Sequence, residues 1–226
     1  MGPERNLLYA MPKQQRRPGG RLLLSSTLRM RLFVALDIDQ QIRDRIASFM
    51  LEMRGLAPAV RWVQPESLHI TLKFIGERPD VMVKDIENVL RGVSAAPFQL
   101  SFRGAGFFPN ERSARVFWIG IQAETALADL AAQIERSLVP IGIEVEKRAF
   151  SPHLTLARAG NGSGTPAKQE GDRPNRRFTA LQAKLSTMAS PDFGTMDAAE
   201  FLLYRSQLSS RGAQYTKIAC FALSAQ

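Results

Sequence analysis

The two histidines of this 226-residue chain, His69 and His153, each begin the same short pattern. Ile-Thr-Leu follows the first and Leu-Thr-Leu follows the second, so a hydroxyl group stands two residues after each imidazole. Because a free imidazole has a pKa of about 6.5, near neutral pH one histidine can accept a proton while another donates one. The duplicated pattern therefore indicates general acid–base chemistry.

The residues around each pattern alternate between apolar and polar, which predicts strands over Ser67–Phe74 and Pro152–Leu156. Successive side chains of a strand point to opposite faces, so each histidine should share a face with its threonine. The aliphatic residues between them would then face a hydrophobic core. If the chain folds into two lobes with one such strand in each, the two strands can present both imidazoles and both hydroxyls to a common groove.

This set of groups suits in-line cleavage of a phosphodiester. One imidazole would activate water or a hydroxyl on one side of phosphorus, while the other protonates the leaving oxygen on the opposite side. The hydroxyls of Thr71 and Thr155 can donate hydrogen bonds to the non-bridging oxygens, and we interpret both as substrate-binding residues. The competing interpretation is that threonine simply favours strands.

We predict no metal ion and no other cofactor, because the composition lacks the usual ligands. Cys220 is the single cysteine, which excludes multi-cysteine metal sites and an internal disulfide framework. One cysteine also suits a reducing compartment, so we expect a cytoplasmic protein. With 45% hydrophobic and 23% charged residues, and no apolar run that could cross a bilayer, the chain is typical of globular proteins outside the membrane.

Most of the positive charge lies at the start of the chain. Residues 1–29 hold six basic residues and one acidic residue, and so carry +5 of the net charge of +9. This stretch lacks periodicity and contains Pro and Gly-Gly, so we expect a basic extension outside the fold. A disordered or misassigned start, a targeting peptide and an RNA-binding tail remain open for it. Residues 30–226 should form a single bilobal domain whose mild positive charge suits a localised nucleic-acid cleft.

Beyond residue 30, strands alternate with helices, which predicts an α+β fold of two packed lobes. The predicted helices are Gln40–Met53, Asp80–Leu90 and Thr125–Leu138. Within the polar insertion Gly160–Arg177, the stretch Pro166–Arg177 is predicted as a weak helix or a loop. The other predicted strands are Arg31–Asp37, Phe98–Phe107, Ala114–Ile121, Ile143–Lys147, Phe178–Ser186, Ala199–Gln207 and Gln214–Ala222.

Several stretches together resemble the two-histidine phosphoesterases, and within them the RNA 2′,3′-cyclic phosphodiesterases, also called 2′-5′ RNA ligases. These stretches are RLFVALDI at 31–38, RWVQPESLHITLKFIGE at 61–77, RVFWIGI at 115–121, FSPHLTLAR at 150–158 and LLYRSQLSSRGAQYT at 202–216. The resemblance implies two pseudo-symmetric lobes, each an antiparallel β-sheet backed by helices, which face each other across a central catalytic groove.

The resemblance also implies roles for the paired residues. His69 would be the proton donor to the leaving ribose oxygen, and His153 the proton acceptor that activates water, with Thr71 and Thr155 on the substrate. The implied reaction opens RNA 2′,3′-cyclic phosphate ends, such as those of tRNA halves, to 2′-phosphomonoesters. Its reversal with a 5′-hydroxyl would form a 2′-5′ linkage. Since a groove enzyme needs no partner subunit, we expect a monomer.

Four charged residues near the patterns have weaker assignments. Lys73 continues the face of the first histidine and is a candidate for steering phosphate, with a solvated lysine as the equal alternative. Arg158 follows the second strand, but strict alternation directs it away from the second histidine, which favours pairing with an acid. Asp37 and Asp39 precede a helix, so capping is favoured over catalysis.

Aromatic residues are candidates for stacking on an RNA base. The four considered are Trp62, Trp118, Phe150 and Tyr204. Core packing is the expectation for most of them, including Trp118, which shares a predicted face with Val116. Phe150, in a loop-like approach to the second histidine, is the best candidate for stacking.

Two alternatives to the RNA phosphodiesterase remain open at this point. One is a non-catalytic module that binds RNA ends on the same scaffold. The other is a related two-histidine hydrolase of small cyclic nucleotides. Both retain the paired imidazoles, so turnover and substrate length distinguish them.

Overall fold

The computed structural model describes residues 28–160, 175–209 and 212–224, and these form two antiparallel sheets with four α-helices. The strands are β1 (Arg29–Leu36), β2 (Arg61–Trp62), β3 (Ile70–Pro79), β4 (Phe98–Phe108), β5 (Val116–Gln122), β6 (His153–Arg158), β7 (Asp192–Ala198), β8 (Glu200–Ser209) and β9 (Gly212–Ala222). The helices are α1 (Gln40–Arg54), α2 (Val83–Arg91), α3 (Ala126–Leu138) and α4 (Thr179–Thr187). Residues 1–27 and 161–174, which hold most of the predicted extension and most of the insertion, lie outside the described residues, and Arg29 of that extension begins β1.

Apart from β2 at one edge of the second sheet, the two sheets have matching strand orders. The first sheet runs β3-β1-β8-β9 and the second runs β2-β6-β5-β4-β7. The two motif strands, β3 and β6, therefore hold corresponding places beside β1 and β5. This arrangement confirms the predicted α+β fold of two pseudo-symmetric lobes. The lobes do not coincide with the two halves of the sequence, because β4 joins the second sheet while β8 and β9 return to the first.

Each sheet buries one face beneath helices and leaves the other toward the groove. On β1, Leu32 and Val34 belong to the main hydrophobic core, whereas Phe33 and Ala35 belong to a separate cluster with Tyr204 on the opposite face. Helices α2 and α3 pack against the first sheet, and α1 packs against β7 of the second. We call the opposite, helix-free faces of the two sheets the groove faces.

Two of the predicted strands are wrong. The segment Phe178–Ser186 contains helix α4, because Phe178 and Leu181, three residues apart, are both buried as on one face of a helix. Ile143–Lys147 forms no strand, since the N–H of Glu146 donates to the carboxylate of Glu135 rather than to a neighbouring strand. Strand β7 was not predicted. None of the described helices combines the length and apolarity that crossing a bilayer requires.

Candidate active site

The two histidines are oriented by equivalent hydrogen bonds. Nδ1 of His69 lies 2.8 Å from the carbonyl oxygen of Ser67, and Nδ1 of His153 lies 2.7 Å from that of Ser151. Because a carbonyl oxygen can only accept, the hydrogen of each neutral ring is on Nδ1. Each Nε2 is then left with a free lone pair. The recurring serine two residues before each histidine is a signal that the sequence analysis missed.

Aromatic rings on the groove faces hold the imidazoles in place. The His69 ring lies 4.8 Å from the Phe33 ring and 5.0 Å from that of Tyr215, edge-on to the latter. The His153 ring lies edge-on to Phe108, at 4.9 Å between centroids. Such contacts restrict rotation about the side-chain torsions and so preserve the direction of each Nε2.

The pKa of each imidazole is lowered from its usual value. Burial lowers the pKa of His69 to about 4, although the Ser67 carbonyl and the charge of Asp37 oppose this. The charges of Arg158 and His153 lower the pKa of His69 further, so the two motif strands bring their functional groups within electrostatic reach of each other. Burial likewise lowers the pKa of His153, and the charge of Arg158 adds to that effect.

This electrostatic situation predicts that anion binding takes up a proton. A sulfate ion between the imidazoles stabilises an imidazolium, so its affinity should rise as pH falls from 7.5 to 5.5, by up to about tenfold per pH unit for one coupled proton. Sulfate itself does not titrate in this range, so the slope reports the protein. Calorimetric titration at several pH values measures it, and His69→Gln should flatten the slope. A pH-independent affinity in the unmodified protein would contradict the prediction.

Each motif strand has an irregularity immediately after its His-x-Thr-Leu pattern. In β3, Thr71 pairs with Ala35 but Lys73 pairs with Val34, so Leu72 is an extra residue. A bulge of this kind reverses the alternation of the side chains that follow it, here as far as a second register shift between Phe74 and Gly76. As a result Lys73 is buried at 6% exposure, while Phe74 is 55% exposed.

The expectation that Lys73 continues the histidine face is therefore wrong. Its Nζ lies 2.5 Å from Oε1 of Glu135 and donates to the carbonyl of Glu144 at 2.8 Å. The lysine joins β3 to helix α3 behind the sheet, which is a structural role. It does not reach the groove.

Removing this lysine should affect stability and not catalysis. Lys73→Met removes the cation beside the partly exposed Glu135 carboxylate, which keeps the N–H of Glu146, so the free energy of unfolding should fall by about 2 kcal/mol. Urea denaturation measures this change, and Lys84→Met at an exposed position of α2 is the matched control. An altered KM for substrate with unchanged stability would instead place Lys73 in the groove.

In β6 the same irregularity brings Arg158 into the site. Thr155 pairs with Trp118 and Ala157 with Phe117, so the strand carries an extra residue between them. Nη2 of Arg158 consequently lies 3.4 Å from Oγ1 of Thr155. The expectation that Arg158 faces away from the second histidine is wrong, because it assumed uninterrupted alternation.

The aromatic assignments are partly corrected. Trp118 pairs with Thr155 on the groove face, not in the core, and its indole crosses Gly106, where an added Cβ would lie 2.5 Å from the ring. Trp62 packs edge-on against the buried Phe117, as core packing predicts. Phe150 is partly buried against the main core, and stacking of its exposed part on a base stays a prediction.

Asp37 does not cap helix α1. Asp39 occupies the N-cap position without a side-chain cap hydrogen bond, whereas the Asp37 carboxylate accepts from the hydroxyl of Tyr204 and pairs with Lys217 at 2.5 Å. The Lys217 and Tyr204 hydrogen bonds lower the pKa of Asp37 against the opposing effect of burial. The residue therefore places a carboxylate beside His69.

A cavity of about 770 Å³ opens beside His69 and is lined by Asp37, Arg43, Tyr204, Tyr215 and Lys217 among others. Its size suits a nucleoside. Tyr215 was missed because only the pairing of β9 with β8 brings it to the groove face, opposite Ser206. Among the described residues no three His, Cys, Asp or Glu side chains converge in a way that could hold a metal ion.

Comparison with known proteins gives a consistent result. Residues 36–118 and 119–215 both match the family model described as LigT-like phosphoesterase. The RNA 2′,3′-cyclic phosphodiesterase of Methanothermobacter thermautotrophicus is 33% identical over 87% of this chain and 100% of its own length. That of Archaeoglobus fulgidus is 36% identical over 85% of this chain and 99% of its own.

A solved structure has the same fold. The crystal structure of E. coli LigT complexed with 3′-AMP is 26% identical, with a TM-score of 0.68 over 88% of this chain and 100% of its own. The double match of one family model to consecutive segments agrees with the pseudo-symmetry of the two sheets.

Proposed function

The chain belongs to the LigT-like phosphoesterase family, and from that premise we propose that it is a metal-independent RNA 2′,3′-cyclic phosphodiesterase. The reaction opens the cyclic phosphate at an RNA end to a 2′-phosphomonoester. The observation that carries this proposal is the equivalent setting of the two imidazoles, one directly before β3 and one at the start of β6. Each Nδ1 is engaged by a carbonyl oxygen, and neither Nε2 has a hydrogen bond among the described residues.

The proposed mechanism uses the two Nε2 atoms on opposite sides of phosphorus. Nε2 of His153 accepts a proton from the attacking water, and protonated His69 donates its proton to the leaving 3′-oxygen. This division is the one that the family resemblance implies. Burial and the charge of Arg158 lower the pKa of both histidines, and the carboxylate of Asp37 acts in the opposite direction at His69. The negative charge of the bound substrate raises the pKa of His69 and so favours its protonated form.

Three groups are proposed to stabilise the phosphate oxygens. The hydroxyls of Thr71 and Thr155 donate to non-bridging oxygens, and Arg158 contributes a planar guanidinium that matches two such oxygens. The proximity of Arg158 to Thr155 supports a shared task. Charge that develops on these oxygens in the transition state is then met by donors that are already in position.

The cavity beside His69 is proposed to hold the terminal nucleoside. Both bridging oxygens of a 2′,3′-cyclic phosphate belong to one ribose, and the leaving 3′-oxygen is one of them. This ribose must therefore lie on the side of the proton donor. Reversal of the reaction, with an RNA 5′-hydroxyl in place of water, would form a 2′-5′ linkage through the same groups. RNA halves with cyclic phosphate ends are the substrates that this arrangement suits.

One assay tests the proposal. The purified chain is incubated in EDTA with an RNA oligonucleotide that ends in a 2′,3′-cyclic phosphate, and the product is identified by ³¹P NMR. The proposal predicts a 2′-phosphomonoester at a rate that EDTA does not change. Binding without turnover would favour a non-catalytic module, and a 3′-phosphomonoester product would contradict the assigned geometry.

A further inference from the structure

Three arginines from different strands gather beside the proposed active site. Arg61 pairs with Arg158 across β2 and β6, and Arg31 lies on the groove face of β1, two positions before Phe33. The charges of Arg61 and Arg31 both act on Arg158, and all three arginines act on the phenol of Tyr215. Arg31 and Arg61 therefore both lie within electrostatic reach of Arg158 and of Tyr215.

Within the described part of the chain, none of these three guanidiniums forms an ion pair with a carboxylate. Like charges held close together repel, and this cost is offset when an anion binds between them. A single phosphate at the histidines would engage Arg158. It would leave the charges of Arg31 and Arg61 uncompensated.

Beyond Arg31 the surface continues as a second depression. Its volume is about 270 Å³, and its lining includes Arg29, Arg31, Arg205 and Glu77. Glu77 is paired with Arg29 at 3.7 Å. The depression therefore keeps a net positive charge and extends the arginine cluster away from the histidines.

The spacing fits a nucleotide chain. Phe33 contacts the His69 ring, and Arg31 lies two residues earlier on the same face, about 7 Å along the strand. This is close to the step between successive phosphates in an extended nucleotide chain. Arg31 therefore lies about one nucleotide step along the groove face from the aromatic ring that flanks His69.

We propose that Arg31 and Arg61 form a subsite for the phosphate that precedes the cyclic phosphate. This inference rests on the proposed function and narrows its substrate class. The preferred substrates are RNA ends of two or more nucleotides, and free cyclic mononucleotides are poor substrates because they lack the preceding phosphate.

Two comparisons test the subsite, one of the affinities of two products and one of the turnover of two substrates. Calorimetry compares a dinucleotide with a terminal 2′-phosphate against a nucleoside 2′-monophosphate, and turnover compares the corresponding cyclic phosphates. The unmodified chain should favour the dinucleotide by about tenfold or more, as expected for one charge-assisted phosphate contact. Arg31→Gln should reduce this preference to about threefold or less, and the preference should also weaken with added salt.

A control variant should leave the preference for the dinucleotide unchanged. Arg91→Gln, which removes an exposed arginine of α2 paired with Glu87, should keep the preference. If Arg31→Gln does not fold, Arg61→Gln at an exposed position serves the same comparison. Equal affinity for the two ligands in the unmodified chain, or a preference that survives both variants, overturns the subsite. Tight, arginine-dependent dinucleotide binding without any turnover would leave the subsite standing and reject the proposed function.

Discussion

Replacement of either imidazole is expected to remove almost all turnover. His69→Ala and His153→Ala should each lower kcat on an RNA cyclic phosphate by about 10³-fold, because each loses a proton-transfer group in the transition state. The double variant should be little slower than either single one, since the two groups act in one step. Single-turnover assays measure these rates.

The two variants should differ on a substrate with a good leaving group. A phosphodiester of p-nitrophenol needs no protonation of its leaving oxygen, so His69→Ala should recover much of its activity while His153→Ala should not. Equal recovery of both variants would contradict the assignment of donor and acceptor. Lys84→Met is a suitable control, because its exposed side chain lies on helix α2, which packs behind the first sheet. Near wild-type turnover of either histidine variant would reject the mechanism itself.

Loss of the Arg158 guanidinium is the second large effect that we expect. Arg158→Gln should lower kcat/KM by about 10²-fold, because the charge beside Thr155 and both histidines no longer stabilises the phosphate oxygens. Arg158→Lys should recover only part of the loss, since a lysine cannot bind two oxygens in one plane.

Steady-state kinetics on the RNA cyclic phosphate measures the effect of the Arg158 variants. Arg103→Gln is the matched control, because that arginine pairs with Asp192 on an exposed part of the second sheet. A change of less than about threefold for Arg158→Gln would show that the guanidinium has no role on the substrate.

The sequence was sufficient to predict the alternation of burial within each His-x-Thr-Leu pattern. Ile70 and Leu72 are buried, as are Leu154 and Leu156, whereas the threonine between each pair is less buried. Beyond these leucines the prediction failed in both strands for the same reason. A bulge depends on how neighbouring strands pair, and a single strand's sequence does not reveal it.

Contacts between residues that are far apart in the chain could not be predicted from the sequence either. Asp37 meets Tyr204 and Lys217 only because β8 and β9 return to the first sheet after the whole second sheet has formed. Helix α4 was misassigned because its short apolar pattern fits both a strand and a helix. Burial of Phe178 and Leu181 on one side decides between them.

The central claim is that both imidazoles act on one phosphorus atom. A crystal structure of the chain with a nucleoside 2′-monophosphate tests it most directly. We predict that Nε2 of His69 and Nε2 of His153 each lie within about 3.2 Å of an oxygen of the same phosphate. A phosphate bound by one imidazole alone, with the other ring too distant to reach it, would contradict the claim.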